Sequence, residues 1–369
     1  MLPSIPTADA DRLARAVLRE RLGVRPKENV TIEVYPSSVP WAAGFVREAR
    51  RLGARPLVHY EDEGAYWDAV ARGRAHLIGT PGEHEWALLE KTDVYVYFWG
   101  PEDLAHADTL SEATWRALTA FNSKWYEIGR KAGVRGARMS IARATEANAR
   151  FWGVPASRWR REVLAASTRD LGGLRRDVAR LRKLLEGSGR LRLRHSNGTD
   201  LTLALVGRET HSGLGDVPPE AKKSRFAWMA SVPDANVYVT VDESTADGSV
   251  VSNRTNSMYG APARGGRFEF ENGRLVRGGF TSGGRPFAAA FRGGDAGKAR
   301  PSLVEIGLDP AIRFAPMLEE SERGAVTIGI GNNVPYGGKT SSRFASLLTV
   351  GGADLFLDDR PIVRNGRLA

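Results

Sequence analysis

Apolar positions in the first half of the chain follow two rhythms. NVTIEVYP (29–36) and DVYVYFWG (93–100) are short, nearly continuous apolar runs, the pattern of strands buried on both faces of a parallel sheet, and RPLVHYED reads as another strand. Around them, helical spacing covers Asp9 to Arg21, VPWAAGFVREARRLG with Gly53 as a left-handed cap, Ala65 to Ala71, Glu83 to Lys91, and Leu110 to Gly133, which leads into ARMSIARAT (137–145). This alternation predicts an open, mostly parallel α/β sheet with helices on both faces. No Gly-x-Gly-x-x-Gly turn follows the first strand, which argues against a dinucleotide site.

The rhythm then changes twice. Leu171, Leu174, Val178, Leu181 and Leu185 recur at three- and four-residue spacing, marking an amphipathic helix with an arginine-rich outer face. From Arg190 the pattern alternates: RLRLRHSNGTDLTLALVGR is a hairpin turning at Asn197-Gly198-Thr199, and NVYVTVDES, GSVVSNR, RFEFENGRLVRGGF with its Asn272-Gly273 turn, AVTIGIG and DLFLDDRPIV follow. The sequence thus predicts an α/β domain over 1–188 that ends in the basic helix, and a β-rich domain over 189–369. EGSGR interrupts the helix at the expected boundary, near Gly187 to Gly189.

Composition supports two folded domains. The 369 residues are 42% hydrophobic and 26% charged, with 41 Gly and 19 Pro, and are long for a single core. MLPSIPTADADRLARAVL has no basic segment followed by an apolar run, and no stretch nears the roughly 20 apolar residues of a spanning helix, so a cytoplasmic protein without membrane contact is expected. With no cysteine, thiolate sites and disulfides are excluded. The net charge of +10 is concentrated: twelve Lys or Arg face four Asp or Glu between Arg158 and Arg194. A solvated helix joining two domains explains this better than nucleic-acid binding, which would need aromatic interleaving or a motif; docking of an acidic partner is the other reading.

Candidate chemistry is sparse. RGAVTIGIGNNVPYGGKTSSRFAS (323–346) reads like the wall of an enzyme site, yet it holds no His, Asp, Glu or Cys. The six histidines are His59, His76, His84, His106, His195 and His211; only the last two lie in the second half, and neither has a second ligand at metal spacing. Gly-x-Ser-x-Gly, His-Glu-x-x-His and P-loop motifs are absent. Asp242-Glu243 is not a ready acid and base pair, since adjacent strand residues point to opposite faces, and reads as a solvated turn at a strand end, the usual place of such acidic residues.

The order of landmarks GTDLTLALVGR, PDANVYVT, FENGRL, VEIGLDP, GAVTIGIGNN and a Ser-rich run resembles the thermophilic aminopeptidases, metallopeptidases of the aminopeptidase S and T type. The resemblance implies a clam-like pair of domains with a cleft between them, a homodimer, and two enclosed metal ions. It places the metal-ligand positions on Asn236, Glu305, Thr327, Phe344 and Ser346, so four of the five ligands are replaced and no metal cofactor is expected. The similar ring-cleaving dihydroxypyridine dioxygenases hold iron through His and a His-x-Asp pair, which Phe344 and Ser346 also lack.

The leading expectation is a catalytically inactive, aminopeptidase-like protein. It would bind a peptide near Glu305, Tyr336, Lys339, Arg343 and Phe344, as an accessory in the maturation of a ribosomal peptide product. In the dimer, loops around Trp228 and Tyr259 would close over the cleft of either protomer. An active hydrolase with a shifted metal site, and an acidic-partner or nucleic-acid binder using the 158–194 segment, are the alternatives.

Overall fold

The computed structural model describes residues 5–72, 82–100, 102–103, 105–106, 110–217, 228–258 and 260–369; His76 and Tyr259 lie outside the described residues. The chain forms two compact units, Met1–Arg169 with Gly215–Asp234, and Asp170–Leu214 with Ala235–Ala369.

The first unit is built on five parallel strands, β1 (Asn29–Val34), β2 (Arg55–Tyr60), β3 (Val94–Phe98), β4 (Arg135–Met139) and, from the returning segment, β8 (Met229–Val232). Their order is β2-β1-β3-β4-β8. Val30, Ile32, Val34, Val94, Val96 and Phe98 are buried, as the continuous apolar runs require, whereas edge strand β2 leaves Leu57, Val58 and Tyr60 exposed. The helix Val39–Arg51 buries Trp41, Phe45 and Ala49, and Gly53, at φ 75°, follows its end as expected. Gly44 lets it approach the helix Thr7–Arg15 closely, because a Cβ there would lie 2.6 Å from the Ala10 backbone. Strand β4 starts two residues before ARMSIARAT, and Ser140–Arg143 of that segment turns into a 3-10 helix.

Strand β8 was not legible in the sequence. The preceding Trp228 is 1% exposed, packs 4.7 Å from the Trp125 ring and donates its indole N–H to the Tyr126 carbonyl. Trp228 is therefore core of the α/β unit rather than a loop free to close over a cleft.

Among the described residues, the second unit holds a two-stranded sheet, β11 (Asn256–Met258) with β12 (Ala261–Ala263), and two large antiparallel sheets. One has eight strands in the order β14-β13-β10-β6-β5-β18-β19-β20: β5 (Ser188–His195), β6 (Thr199–Val206), β10 (Asp247–Val251), β13 (Arg267–Glu271), β14 (Arg274–Gly279), β18 (Asp354–Leu357), β19 (Arg360–Arg364) and β20 (Arg367–Leu368). The other has five in the order β17-β16-β15-β9-β7: β7 (Thr210–Gly213), β9 (Asn236–Thr240), β15 (Pro301–Gly307), β16 (Val326–Gly331) and β17 (Ala345–Val350). Leu191, Leu203, Val250 and Phe268 of the first share one apolar core with Val237, Val304, Ile328 and Leu348 of the second. Asn272 at φ 49° and Gly273 at φ 67° make the β13–β14 turn, the left-handed pair that Asn-Gly tolerates.

The basic helix, Gly172–Leu185, belongs to this core. Leu171, Leu174, Val178, Leu181 and Leu185 all enter it, so the apolar seam packs on the β-rich unit. The chain thus changes unit at Arg169 and returns for residues 215–234, where the sequence suggested one crossing at 188/189. Among the described residues, no helix is long and apolar enough to cross a membrane.

Candidate functional site

Strand pairing decides which of the singled-out residues can meet. Glu305 on β15 lies directly opposite Thr327 on β16 and Tyr238 on β9; Thr327 lies opposite Thr349 on β17, and Tyr238 opposite His211 on β7. Directly paired residues share a face, so Thr349, Thr327, Glu305, Tyr238 and His211 form one row across the sheet. Asn236 lies two residues along β9 from Tyr238 and points to the same face. The opposite face carries Val237, Val304, Val326, Ile328, Ile330, Leu348 and Val350 into the core.

Phe344 and Ser346 belong to that apolar side. Ser346 pairs with core residue Ile330, and its hydroxyl donates to the Met258 sulfur at 3.6 Å. Phe344, 2% exposed, packs edge-on against Phe287 and Phe291 at 5.6 and 5.4 Å. Neither side chain can join Glu305 and Thr327, which corrects their placement as ligand positions, and Phe344 is not a binding surface. Truncating it, Phe344→Ala, should cost about 3–5 kcal/mol in equilibrium unfolding; a loss below about 1 kcal/mol would contradict this packing.

On β17, the residues that share the face of Glu305 are Ala345, Leu347 and Thr349. An i, i+2 ligand run moved by one residue falls on Ala345 and Leu347, opposite Gly331 and Gly329. Those two residues offer no donor atoms either. The Asn236 side-chain oxygen accepts the Gly213 N–H at 2.9 Å, and the Thr327 and Thr349 hydroxyls bond each other at 2.8 Å. Glu305, 6% exposed, is the one carboxylate among the five positions. The face therefore does not fit a dinuclear centre, whose dehydration needs several anionic or imidazole ligands. Among the described residues, no three His, Asp or Glu come together to hold a metal.

The 332–340 loop stands beside this row. Exposed Tyr336 meets the Tyr238 ring edge-on at 5.4 Å, and its carbonyl lies 3.2 Å from His211 Nε2. His211 in turn stacks on Tyr238, with ring centroids 5.4 Å apart. Lys339 is exposed, and its backbone N–H donates to Glu243. The exposed Arg343 gives its backbone N–H to Asp295. Glu305 and Tyr336 are therefore linked through Tyr238, and Lys339 shares the Tyr336 loop.

Glu243 anchors that loop, a role the sequence reading missed. Its carboxylate takes both Arg208 N–H groups at 2.7 and 2.8 Å, the Asn333 amide at 2.8 Å and the Lys339 N–H at 2.8 Å. Burial pushes this carboxyl up, but the Arg208, Lys339 and Asn333 hydrogen bonds outweigh it and hold it at about 2. Because the folded value lies below the ordinary 4.5, the stabilisation is complete above about pH 4.5 and is lost as pH falls toward 2. Glu243→Gln should lower the melting temperature at pH 7 and flatten its decline across that window; parallel melting profiles for variant and wild type would refute the anchoring role.

Residues 172–300 match the family model of the thermophilic metalloproteases (M29). The chain resembles the thermophilic metalloproteases. The structure of AmpT from Thermus thermophilus, 17% identical, superposes with a TM-score of 0.74 over 98% of this chain and 99% of that one. A 2,5-dihydroxypyridine dioxygenase from Pseudomonas putida KT2440, also 17% identical, gives a TM-score of 0.62 over 99% and 98%. At that identity both likenesses speak for the fold: a parallel α/β sheet followed by an antiparallel β-rich region. No curated relative matches the sequence.

Proposed function

We propose that this metalloprotease-like protein holds a peptide without cleaving it. One observation carries the reading: the face that gathers Asn236, Glu305, Thr327, Ala345 and Leu347 offers a single carboxylate where a dinuclear hydrolase needs a full ligand set. The same face, with the 334–343 segment that leads into β17, keeps features suited to an extended chain. Glu305 can meet a peptide amine, Tyr336 and Tyr238 supply aromatic surface, and Lys339 and Arg343 supply positive charge for an acidic or C-terminal segment. Such a protein suits presentation of a precursor peptide to separate modifying enzymes. The proposal extends to a cytoplasmic homodimer, for which a sole 40 kDa species in sedimentation at ~10 μM, well above the ~1 μM Kd of a moderate complex, would be the contrary result.

The test has two parts. Elemental analysis of protein purified without chelator should find no stoichiometric zinc, manganese or iron, and aminoacyl substrates should remain intact. Calorimetry against acidic peptides should give saturable binding that Lys339→Ala and Arg343→Ala weaken at unchanged melting temperature. One equivalent of metal with hydrolysis would replace this reading with a shifted active site, and no affinity better than millimolar would remove the peptide.

A further inference from the structure

Among the described residues of the α/β unit three arginines are buried, and two are fully employed. Arg21, 2% exposed, donates to the carbonyls of Ala166, Ser167 and Gly215. Arg135, 1% exposed, donates to the carbonyls of Leu22 and Gly23 and pairs with Glu28. Arg143 is different. It is 6% exposed, yet its Nε and Nη1 have no hydrogen-bond partner among the described residues. Three N–H bonds of a buried cation are left without an acceptor, in a class of group that folded proteins almost always satisfy.

The surroundings explain why the charge is tolerated but do not supply the acceptor. The Arg143 guanidinium carbon lies 4.6 Å from the Trp99 ring centroid, and the Arg138 guanidinium carbon lies 5.4 Å from the same ring. Arg138 Nε is also buried without a partner among the described residues. Tyr35, Tyr66 and Tyr97 surround Arg143 electrostatically, and burial lowers its affinity for the proton. Glu63 is the nearby carboxylate, but its oxygens are taken by the Trp67 indole N–H and the backbone N–H groups of Glu102 and Asp103. Two arginines converging on one indole, with acceptors missing on both, lack an anion.

Their place in the sheet fits a ligand. Tyr35 follows β1, Trp99 follows β3, and Arg143 ends the 3-10 helix after β4, so all three stand at the carboxyl ends of adjacent parallel strands. Strand order reverses across β1 and β3, and open α/β sheets bind ligands at such a crossover, outside the carboxyl ends. We infer that Arg143 and Arg138, flanked by Trp99, form a binding site for an oxyanion, a carboxylate or phosphate carried on an aromatic or apolar body. Nothing in this inference depends on the sheet around Glu305.

Calorimetry on the full-length protein with phenylacetate, phenyl phosphate and inorganic phosphate tests it. At least one probe should bind saturably below about 1 mM, and preference among the three separates carboxylate from phosphate and shows whether the ring counts. Arg143→Met should weaken that binding at least tenfold with the melting temperature of the free protein unchanged or raised, because an unpaired buried charge is removed. If Arg143→Met does not fold, Arg143→Lys decides, since it keeps the charge and loses the planar fork. Equal affinity in that variant, or no binding of any probe by the wild type at 10 mM, would overturn the inference.

Discussion

The variant Asn236→Glu, Thr327→His, Ala345→His and Leu347→Asp should retain a divalent metal through gel filtration, and the wild-type protein should not. The four positions and Glu305 share one face, and Ala345 and Leu347 are exposed, so longer side chains there have room. The matching control is Phe344→His with Ser346→Asp, which puts the same ligands one residue earlier, in the apolar core. That double variant should bind no metal and lose most of its stability. An unpaired carboxylate and an imidazole replacing buried groups cost several kcal/mol together, roughly a 10–20 °C fall in melting temperature for a unit of this size. A control that stays folded and binds metal while the first variant does not would show that the pairing of β16 with β17 had been misread.

The contrast also shows what the sequence could and could not supply. Alternation in GAVTIGIG and the order of landmarks marked the β-rich half and its resemblance, and the structure agrees with both. Side-chain direction was harder to read. A shift of one residue along β17 moves every side chain to the other face, and a degenerate run such as SSRFASLLT has no ligand to fix its register. Glu243 was hidden for another reason: its partners Arg208, Asn333 and Lys339 lie up to 96 residues away, so local pattern showed only an acidic strand end. Strand β8 was missed because four residues, Met229–Val232, enter the other unit's sheet after a long excursion and carry no alternation of their own. Arg143 lies in ARMSIARAT, where nothing in the sequence distinguishes an orphaned arginine from a solvated one.

The basic helix offers the second large effect. Its seam was legible from spacing, but the unit it serves was not, because periodicity shows which face is apolar and not what that face meets. In the structure Leu181 is 0% exposed and shares a core with Val237 and Val304 of the five-stranded sheet. Leu181→Ala should therefore cost about 2–5 kcal/mol, and Leu181→Asp should prevent stable folding of the β-rich unit, since the new carboxylate finds no partner there. Arg180, the preceding residue, is exposed, so Arg180→Gln should change stability by less than about 0.5 kcal/mol. Two-probe unfolding separates the units: the α/β unit carries Trp228 and Trp159 in its interior, and its tryptophan signal should persist after the β-rich unit has melted. If Leu181→Asp instead melts the tryptophan-rich unit first and leaves the β-rich unit cooperative, the helix belongs with residues 1–169, and a boundary near Gly187 is the correct one.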